Sequence, residues 1–166
     1  GIGNAYYFPM FEEALERHNV PLELKYLPVI ESALNAKAKS PVGAMGLWQF
    51  MVGTGKIYGL EVNSMIDERR DPRKASDAAA RFLADLYKLY GDWHLVIAAY
   101  NCGPGNVNKA IRRSGSRKFW DIWTFLPRKP WRMLFSLMTA PFWPCPTTVI
   151  LLKSLQSGLG RMPMQM

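Results

Sequence analysis

The sequence predicts an all-α domain, with at most a negligible sheet. The clearest helical pattern precedes Gly91, a residue type that commonly ends helices. The apolar positions that repeat there at helical spacing are Ala79, Ala80, Phe82, Leu83, Leu86, Tyr87 and Leu89. No run of alternating apolar and polar residues, the pattern typical of strands, occurs anywhere in the chain. Its 166 residues are enough for one domain with a proper core.

Prolines divide the first helical patterns. Pro9 is well placed to open a helix over residues 9–18. A second helical segment covers residues 22–34, and Pro28 should break it and start it again. Glu31 would then lie in the first or second turn after the restart.

The middle of the chain reads as a loop followed by a short helix. Residues 35–46 contain a Ser-Pro pair and two glycines, which are turn signals. The segment that begins at Gly46 is expected to enter a short helix that ends at Gly53 or Gly55.

Three helices are predicted in the remainder of the domain. Ser76-Asp77 resembles the start of the long helix that ends at Gly91. A further helix covers residues 93–100, a sharp turn follows over residues 101–105, and a last helix covers residues 107–113.

Charge and cysteine content exclude several classes of protein. The net charge of +8 favours polyanionic partners, including acidic cell-wall polymers. The basic residues form no nucleic-acid motif, so we expect no nucleic-acid partner. Cys102 and Cys145 make neither a disulfide framework nor a metal-ligand spacing, and we expect no metal and no cofactor. No apolar run approaches the ~20 residues that span a bilayer.

Glu31 is the candidate catalytic residue. Large apolar residues precede it in the segment Tyr-Leu-Pro-Val-Ile-Glu, and Ala and Leu follow Ser32. Apolar surroundings disfavour a charged carboxylate, so the pKa of Glu31 should rise, as a general acid near neutral pH requires. For a lone Glu, the solvated face of an amphipathic helix is the commoner setting.

Two further motifs favour a catalytic role for Glu31 over a solvated position on a helix. Gly-Leu-Trp-Gln at residues 46–49 and Ala-Tyr-Asn-Cys-Gly-Pro-Gly at residues 99–105 follow Glu31-Ser32 in order. Together the three segments resemble the lytic transglycosylase domain of the goose-type lysozyme superfamily, particularly the membrane-bound murein transglycosylases of the D type. The resemblance covers residues 7–127 and implies a lysozyme-like helical fold.

The resemblance also implies a mechanism with a single carboxylate. Glycoside cleavage usually needs two carboxyl groups, but the motifs contain only Glu31. In the family, the matching Glu protonates the oxygen between N-acetylmuramic acid and N-acetylglucosamine. It then takes the proton of the muramic C6 hydroxyl, and a 1,6-anhydro ring closes. Peptidoglycan strands are therefore the expected substrate and partner.

Five residues are expected to bind the substrate, and each has a structural alternative. They are Ser32, Gln49, Met51, Tyr100 and Asn101. Ser32 could instead bond its own helix backbone, and Gln49 could hold the loop to the helix. Met51 could pack in the core, Tyr100 could be a buried residue with a satisfied hydroxyl, and Asn101 could stabilise a turn.

The tail departs from the family, so we divide the chain into a catalytic domain (residues 1–127) and an atypical tail (residues 128–166). No acid follows Asp121, and Arg128-Lys129 stands where relatives have a Glu-Thr pair, followed later by a Tyr-Val motif. We hypothesise that the tail is out of frame or loosely packed. Sequencing the coding DNA tests the first idea, and a family-like match in the present frame among close relatives would refute it.

Two alternatives to a transglycosylase stay open. A hydrolytic lysozyme of the same fold would use a water molecule, and its products would be heavier by one water. A non-catalytic peptidoglycan-binding module would bind without turnover. We expect a monomer in the bacterial periplasm, attached to the outer membrane only through segments outside this sequence.

Overall fold

The computed structural model describes residues 2–127, which form helices joined by turns. The α-helices are α1 (Ile2–Arg17), α2 (Leu27–Ser32), α3 (Val52–Ile57), α4 (Pro72–Tyr90), α5 (Trp93–Cys102), α6 (Pro104–Ser114) and α7 (Phe119–Ile122). Short 3-10 helices cover Leu22–Tyr26, Glu68–Arg70 and Trp123–Phe125. Sheet pairing in this range is limited to three isolated bridges. The predicted all-α class is confirmed, whereas the predicted tail and Cys145 lie outside the described residues.

The core is built around α4 and α5. Helix α4 packs against both α1 and α5. Its buried face is rich in alanine, which allows close helix contacts, and the five residues 95–99 of α5 are fully buried. A helix that is apolar all round belongs at the centre of a domain. Trp48, also fully buried, contacts the ring of Phe11 with 5.2 Å between ring centres.

Several predicted boundaries are confirmed. Helix α2 starts at Leu27 with Pro28 in its first turn, so Glu31 lies in the second turn. The 3-10 helix precedes it, and Ala33 ends α2 in the left-handed conformation with φ of 50°. Gly91 ends α4 in the same conformation, with φ of 66°.

Two predicted helix starts are wrong. Pro9 lies inside α1, where stacking of Tyr7 on Phe11, 5.8 Å between ring centres, helps to hold the turns around it. Helix α4 starts before Ser76, because the carboxylate of Asp71 accepts bonds from the first free backbone amides. Pro72 follows at a position where a missing N–H costs nothing.

The short helix α3 also differs from its prediction. It begins at Val52 and continues to Ile57, so Gly53 and Gly55 lie within it. A Cβ on Gly55 would lie 3.3 Å from Cγ of Arg69, so this glycine provides room and does not end the helix. Residues 46–50 form a turn before the helix.

Gly46 is the position where this turn tolerates no side chain. Its φ is +83°, and a Cβ there would lie 1.9 Å from the backbone oxygen of Arg69. We expect Gly46→Ala to lower the free energy of unfolding by about 2–5 kcal/mol, because it combines backbone strain with a clash against backbone. Denaturant unfolding followed by circular dichroism measures this loss.

Gly43→Ala is the matched control. Gly43 has a similar φ of +89°, but no atom lies within 4 Å of the added Cβ. Only the conformational cost of about 1–2 kcal/mol is expected there. Equal losses in the two variants would show that the contact with Arg69 is unimportant.

Candidate active site

Glu31 is a half-buried carboxyl group near the end of α2. Burial raises its pKa from 4.5 to about 7, because the charged form loses hydration. A hydrogen bond from the side chain of Asn101 acts in the opposite direction and stabilises the carboxylate. The predicted upward direction is confirmed, and at neutral pH both protonation states of this group are populated.

The last turn of α5 lies beside Glu31. Asn101 contributes the hydrogen bond to the carboxyl group. The hydroxyl of the preceding residue, Tyr100, donates to the backbone oxygen of Trp48 at 2.7 Å. Burial, and secondly the charge of Glu31, raise the pKa of Tyr100 well above its usual value. The structure therefore brings the first and third motifs together.

The second motif joins them through backbone carbonyls. The hydroxyl of Ser32 lies 2.9 Å from the oxygens of Pro28 and Leu47, and can donate its single proton to either. Since Tyr100 bonds the next carbonyl, that of Trp48, the turn over residues 46–50 connects α2 to α5. The turn thereby fixes the position of Ser32 in α2 relative to Tyr100 in α5.

Gln49 stabilises the same turn from within. Its φ is 50°, in the left-handed region. Its side-chain amide donates to the oxygens of Gly46 at 2.8 Å and Ala38 at 3.2 Å. The structural alternative for Gln49 is a bond that holds the loop to the helix. The observed bonds instead connect two parts of the loop, at Ala38 and Gly46.

The predicted substrate-binding residues divide by exposure. Ser32 is buried and bonds backbone, which is its structural alternative. Met51 is 46% exposed, so core packing is excluded for it. Trp48 and Phe50 both lie in the core. Contact of the five predicted residues with substrate stays a prediction.

Arg69 is a structural residue of the site that sequence reasoning missed. It is only 5% exposed. Its guanidinium donates to the oxygens of Gly43 at 2.9 Å and Phe50 at 3.0 Å, one on each side of the turn. It also bonds the carboxylate of Asp67 at 2.9 and 2.8 Å. The surrounding run of charged residues resembles a solvated turn, so hydropathy contains no sign of this burial.

The other acids differ from Glu31 in their environment. All 13 acidic residues of the chain lie within the described range. Hydrogen bonds from basic side chains lower the pKa of Asp67, Asp85 and Asp92. Across residues 2–127, no three His, Cys, Asp or Glu side chains are grouped so that they could hold a metal ion. In the same range, no helix has both the length and the hydropathy of a membrane span.

Comparison with known proteins identifies relatives of this arrangement. The family model described as "Transglycosylase SLT domain" matches residues 8–123. Membrane-bound lytic murein transglycosylase D of Escherichia coli (strain K12) is 41% identical over 118 residues, which are 69% of this chain and 26% of that protein. Soluble lytic murein transglycosylase of the same strain is 37% identical over 92 residues, 52% of this chain and 14% of that protein. The chain thus spans about a quarter or less of the length of these relatives.

Solved structures show the same fold. The crystal structure of the 70-kDa soluble lytic transglycosylase from Escherichia coli superposes with a TM-score of 0.67 and 24% identity, covering 90% of this chain and 24% of that chain. An inactive mutant of the lytic transglycosylase Slt from Pseudomonas aeruginosa gives 0.65 and 22%, covering 92% and 25%. At this level of identity the likeness establishes the fold.

The raised pKa of Glu31 predicts a pH-dependent stability. Below about pH 4.5 the group is protonated in both the folded and unfolded states, so it has no effect. As pH rises to about 7, the unfolded chain releases the proton more readily, and the free energy of unfolding falls. Glu31→Gln lacks this loss. We expect this variant to gain roughly 1–3 kcal/mol over the wild type by pH 8.

Thermal and urea unfolding between pH 4 and pH 9 measure this difference. Glu16→Gln is the control, since it removes the same charge from an exposed position of α1. Its stability should follow that of the wild type at every pH. Parallel curves for the wild type and Glu31→Gln would show that burial does not disfavour the carboxylate.

Proposed function

The chain belongs to the transglycosylase SLT domain family, and on that premise we propose that it is a peptidoglycan lytic transglycosylase. The bond cleaved is the β-1,4 linkage from N-acetylmuramic acid to N-acetylglucosamine. The products end in 1,6-anhydro-N-acetylmuramic acid. The observation that best supports this proposal is the half-buried carboxyl group of Glu31, whose pKa lies at about 7.

A pKa near neutrality suits a group that must act first as an acid and then as a base. Protonated Glu31 donates its proton to the glycosidic oxygen, and the bond from that oxygen to the muramic C1 breaks. The carboxylate then accepts the proton of the C6 hydroxyl while the C6 oxygen bonds to C1. Glu31 returns to its protonated form and no water is consumed. One carboxyl group therefore completes the cycle.

The neighbours of Glu31 support both halves of that cycle. Asn101 donates to the carboxyl group, which favours the carboxylate produced after the first proton transfer. Tyr100 is held by the carbonyl of Trp48, so its hydroxyl keeps a fixed place beside the reacting sugar. We assign substrate contact to Met51, which is exposed, and to Gln49. Ser32 contributes mainly by holding the carbonyl of Leu47 in place.

The two alternatives, a hydrolytic lysozyme and a non-catalytic binding module, would affect the strands differently. A hydrolase would place a water molecule where the C6 oxygen attacks, and its products would contain that water. A binding module would leave the strands intact. We place the protein in the bacterial cell envelope, with peptidoglycan as its partner, since the relatives are named murein transglycosylases in both membrane-bound and soluble forms.

Substitution of Glu31 tests the proposal directly. We expect Glu31→Gln to reduce turnover of purified peptidoglycan by ~10²–10⁴-fold, because an amide does not donate a proton as a carboxylic acid does. Binding to the strands should be retained, since the side chain keeps its shape. Mass spectrometry of the soluble products measures both turnover and the loss of one water in the anhydro ends.

Glu16→Gln again serves as the control and should release anhydro products at the wild-type rate. Hydrated ends in the wild-type digest would replace the transglycosylase by a lysozyme. Turnover by Glu31→Gln comparable to that of the wild type would remove Glu31 from the mechanism.

A further inference from the structure

The positive charge of the domain is concentrated in one short segment. Residues 2–108 contain 11 Lys and Arg against 12 Asp and Glu, a formal net charge of −1. Residues 109–118 contain five cations and no acid. All five are exposed, and we call them the basic surface: Lys109, Arg112, Arg113, Arg117 and Lys118. The excess of positive charge in residues 2–127 therefore comes from this segment.

Helix α6 presents three of the five cations together. Lys109, Arg112 and Arg113 are three and four residues apart, so they share one face of the helix. Val107 and Ala110 are buried and attach α6 to the core by another face. The three basic side chains are therefore held on the outside of a packed helix.

The turn after α6 holds the other two cations near the end of α4. Gly115 ends α6 in the left-handed conformation, with φ of 70°. The amide of Lys118 donates to the hydroxyl of Ser116 at 3.1 Å. The guanidinium of Arg117 donates to the backbone oxygen of Leu89 at 3.1 Å. Leu89 is 53% exposed, so an exposed apolar residue lies beside the basic surface.

The basic surface is not neutralised by the protein. Within residues 2–127, none of its five cations forms an ion pair with a carboxylate. The first acid after it, Asp121, accepts a hydrogen bond from the hydroxyl of Ser116, and no acid follows in the sequence. The dipole of α6 favours the two arginines of its last turn, but that effect extends no further than a turn. An anionic partner would relieve the repulsion among the remaining cations.

A layer of anionic phospholipid is the partner that fits these features. Clusters of Lys and Arg are attracted to anionic headgroups, and each cation near the layer adds affinity. Long basic side chains keep their charges among the headgroups while their stems cover apolar surface. Leu89 adds an apolar contact, which a soluble polyanion does not require. The basic residues of the chain form no nucleic-acid motif.

We propose that the basic surface docks this domain on an anionic phospholipid membrane. The contact is peripheral and reversible, and it is additional to any attachment through segments outside this sequence. It goes beyond the proposed function and does not depend on it. Asn101, which bonds Glu31, precedes the start of α6 at Pro104. Arg113 lies roughly 14 Å along the helix from that start, so the basic surface is separate from the candidate active site.

Sedimentation with lipid vesicles tests the proposal. The 166-residue chain is mixed with vesicles of phosphatidylcholine alone, or with vesicles in which roughly one third of the lipid is phosphatidylglycerol. We expect binding to the anionic vesicles only, and weaker binding at high salt, because salt screens contacts between exposed charges. Arg112→Gln with Arg113→Gln should weaken this binding roughly tenfold or more, since each cation near the layer contributes to affinity.

The matched control is Arg70→Gln with Arg73→Gln. It also removes two exposed arginines that form no ion pair within the described residues, but from the start of α4. It should bind the anionic vesicles like the wild type. Circular dichroism verifies that each double variant is folded, and the single variants replace a double variant that is not.

Three results would overturn the proposal. Equal losses in the two double variants would show that net charge, and not the basic surface, determines binding. Absence of wild-type binding to the anionic vesicles would show that the surface is only solvated. Binding of duplex DNA that Arg112→Gln with Arg113→Gln abolishes, without binding of vesicles, would assign the surface to nucleic acid. Turnover of peptidoglycan has no part in these measurements, so they do not depend on the proposed activity.

Discussion

The arrangement of the candidate active site depends on one buried guanidinium. The guanidinium of Arg69 donates to the carboxylate of Asp67, two residues before it in the chain. It also donates to the carbonyls of Gly43 and Phe50, one on each side of the turn. A buried charge is costly unless it is paired and hydrogen-bonded, and here the guanidinium donates four hydrogen bonds, two of them to a carboxylate. The result is a closed turn over residues 43–50 whose carbonyls point in fixed directions. Two of these carbonyls, of Leu47 and Trp48, receive the hydroxyls that place α2 and α5 around Glu31.

This construction separates the group that reacts from the groups that hold it. Ser32 and Tyr100 bond backbone oxygens, so these two bonds do not involve the proton that the carboxyl group gains and loses. Glu31 itself stands in surroundings that disfavour its charge, with Asn101 as partial compensation. Functional sites commonly retain such locally unfavourable groups, because the rest of the fold is stable enough to hold them. The fully buried residues 95–99 of α5 contribute to that stability.

The sequence predicts the features that are encoded locally. Pro28 and Gly91 mark boundaries because proline and glycine restrict or permit particular backbone angles at their own positions, and Glu31 could be identified from its apolar neighbours and motif. Arg69 could not, because its burial depends on carbonyls 19 and 26 residues away in the chain. The sequence places the start of α4 wrongly for a related reason, since the hydroxyl of Ser76 accepts a hydrogen bond from the indole of Trp48 across the core and does not cap the helix. Helix α7 has four residues, too few for a periodic pattern to develop.

The segment over residues 43–52 contributes to more than the surroundings of Glu31. Its carbonyls position the residues around Glu31, and Met45 and Val52 line a cavity of about 540 Å³. Because Arg69 bonds both ends of the turn and also lines that cavity, the cavity wall and the carbonyls near Glu31 belong to one rigid unit. Binding energy gained from a remote part of a substrate can be used to orient the reacting bond. A substrate that contacts this segment would thus meet a unit that is already fixed, and its binding would align the reacting bond without requiring the protein to rearrange.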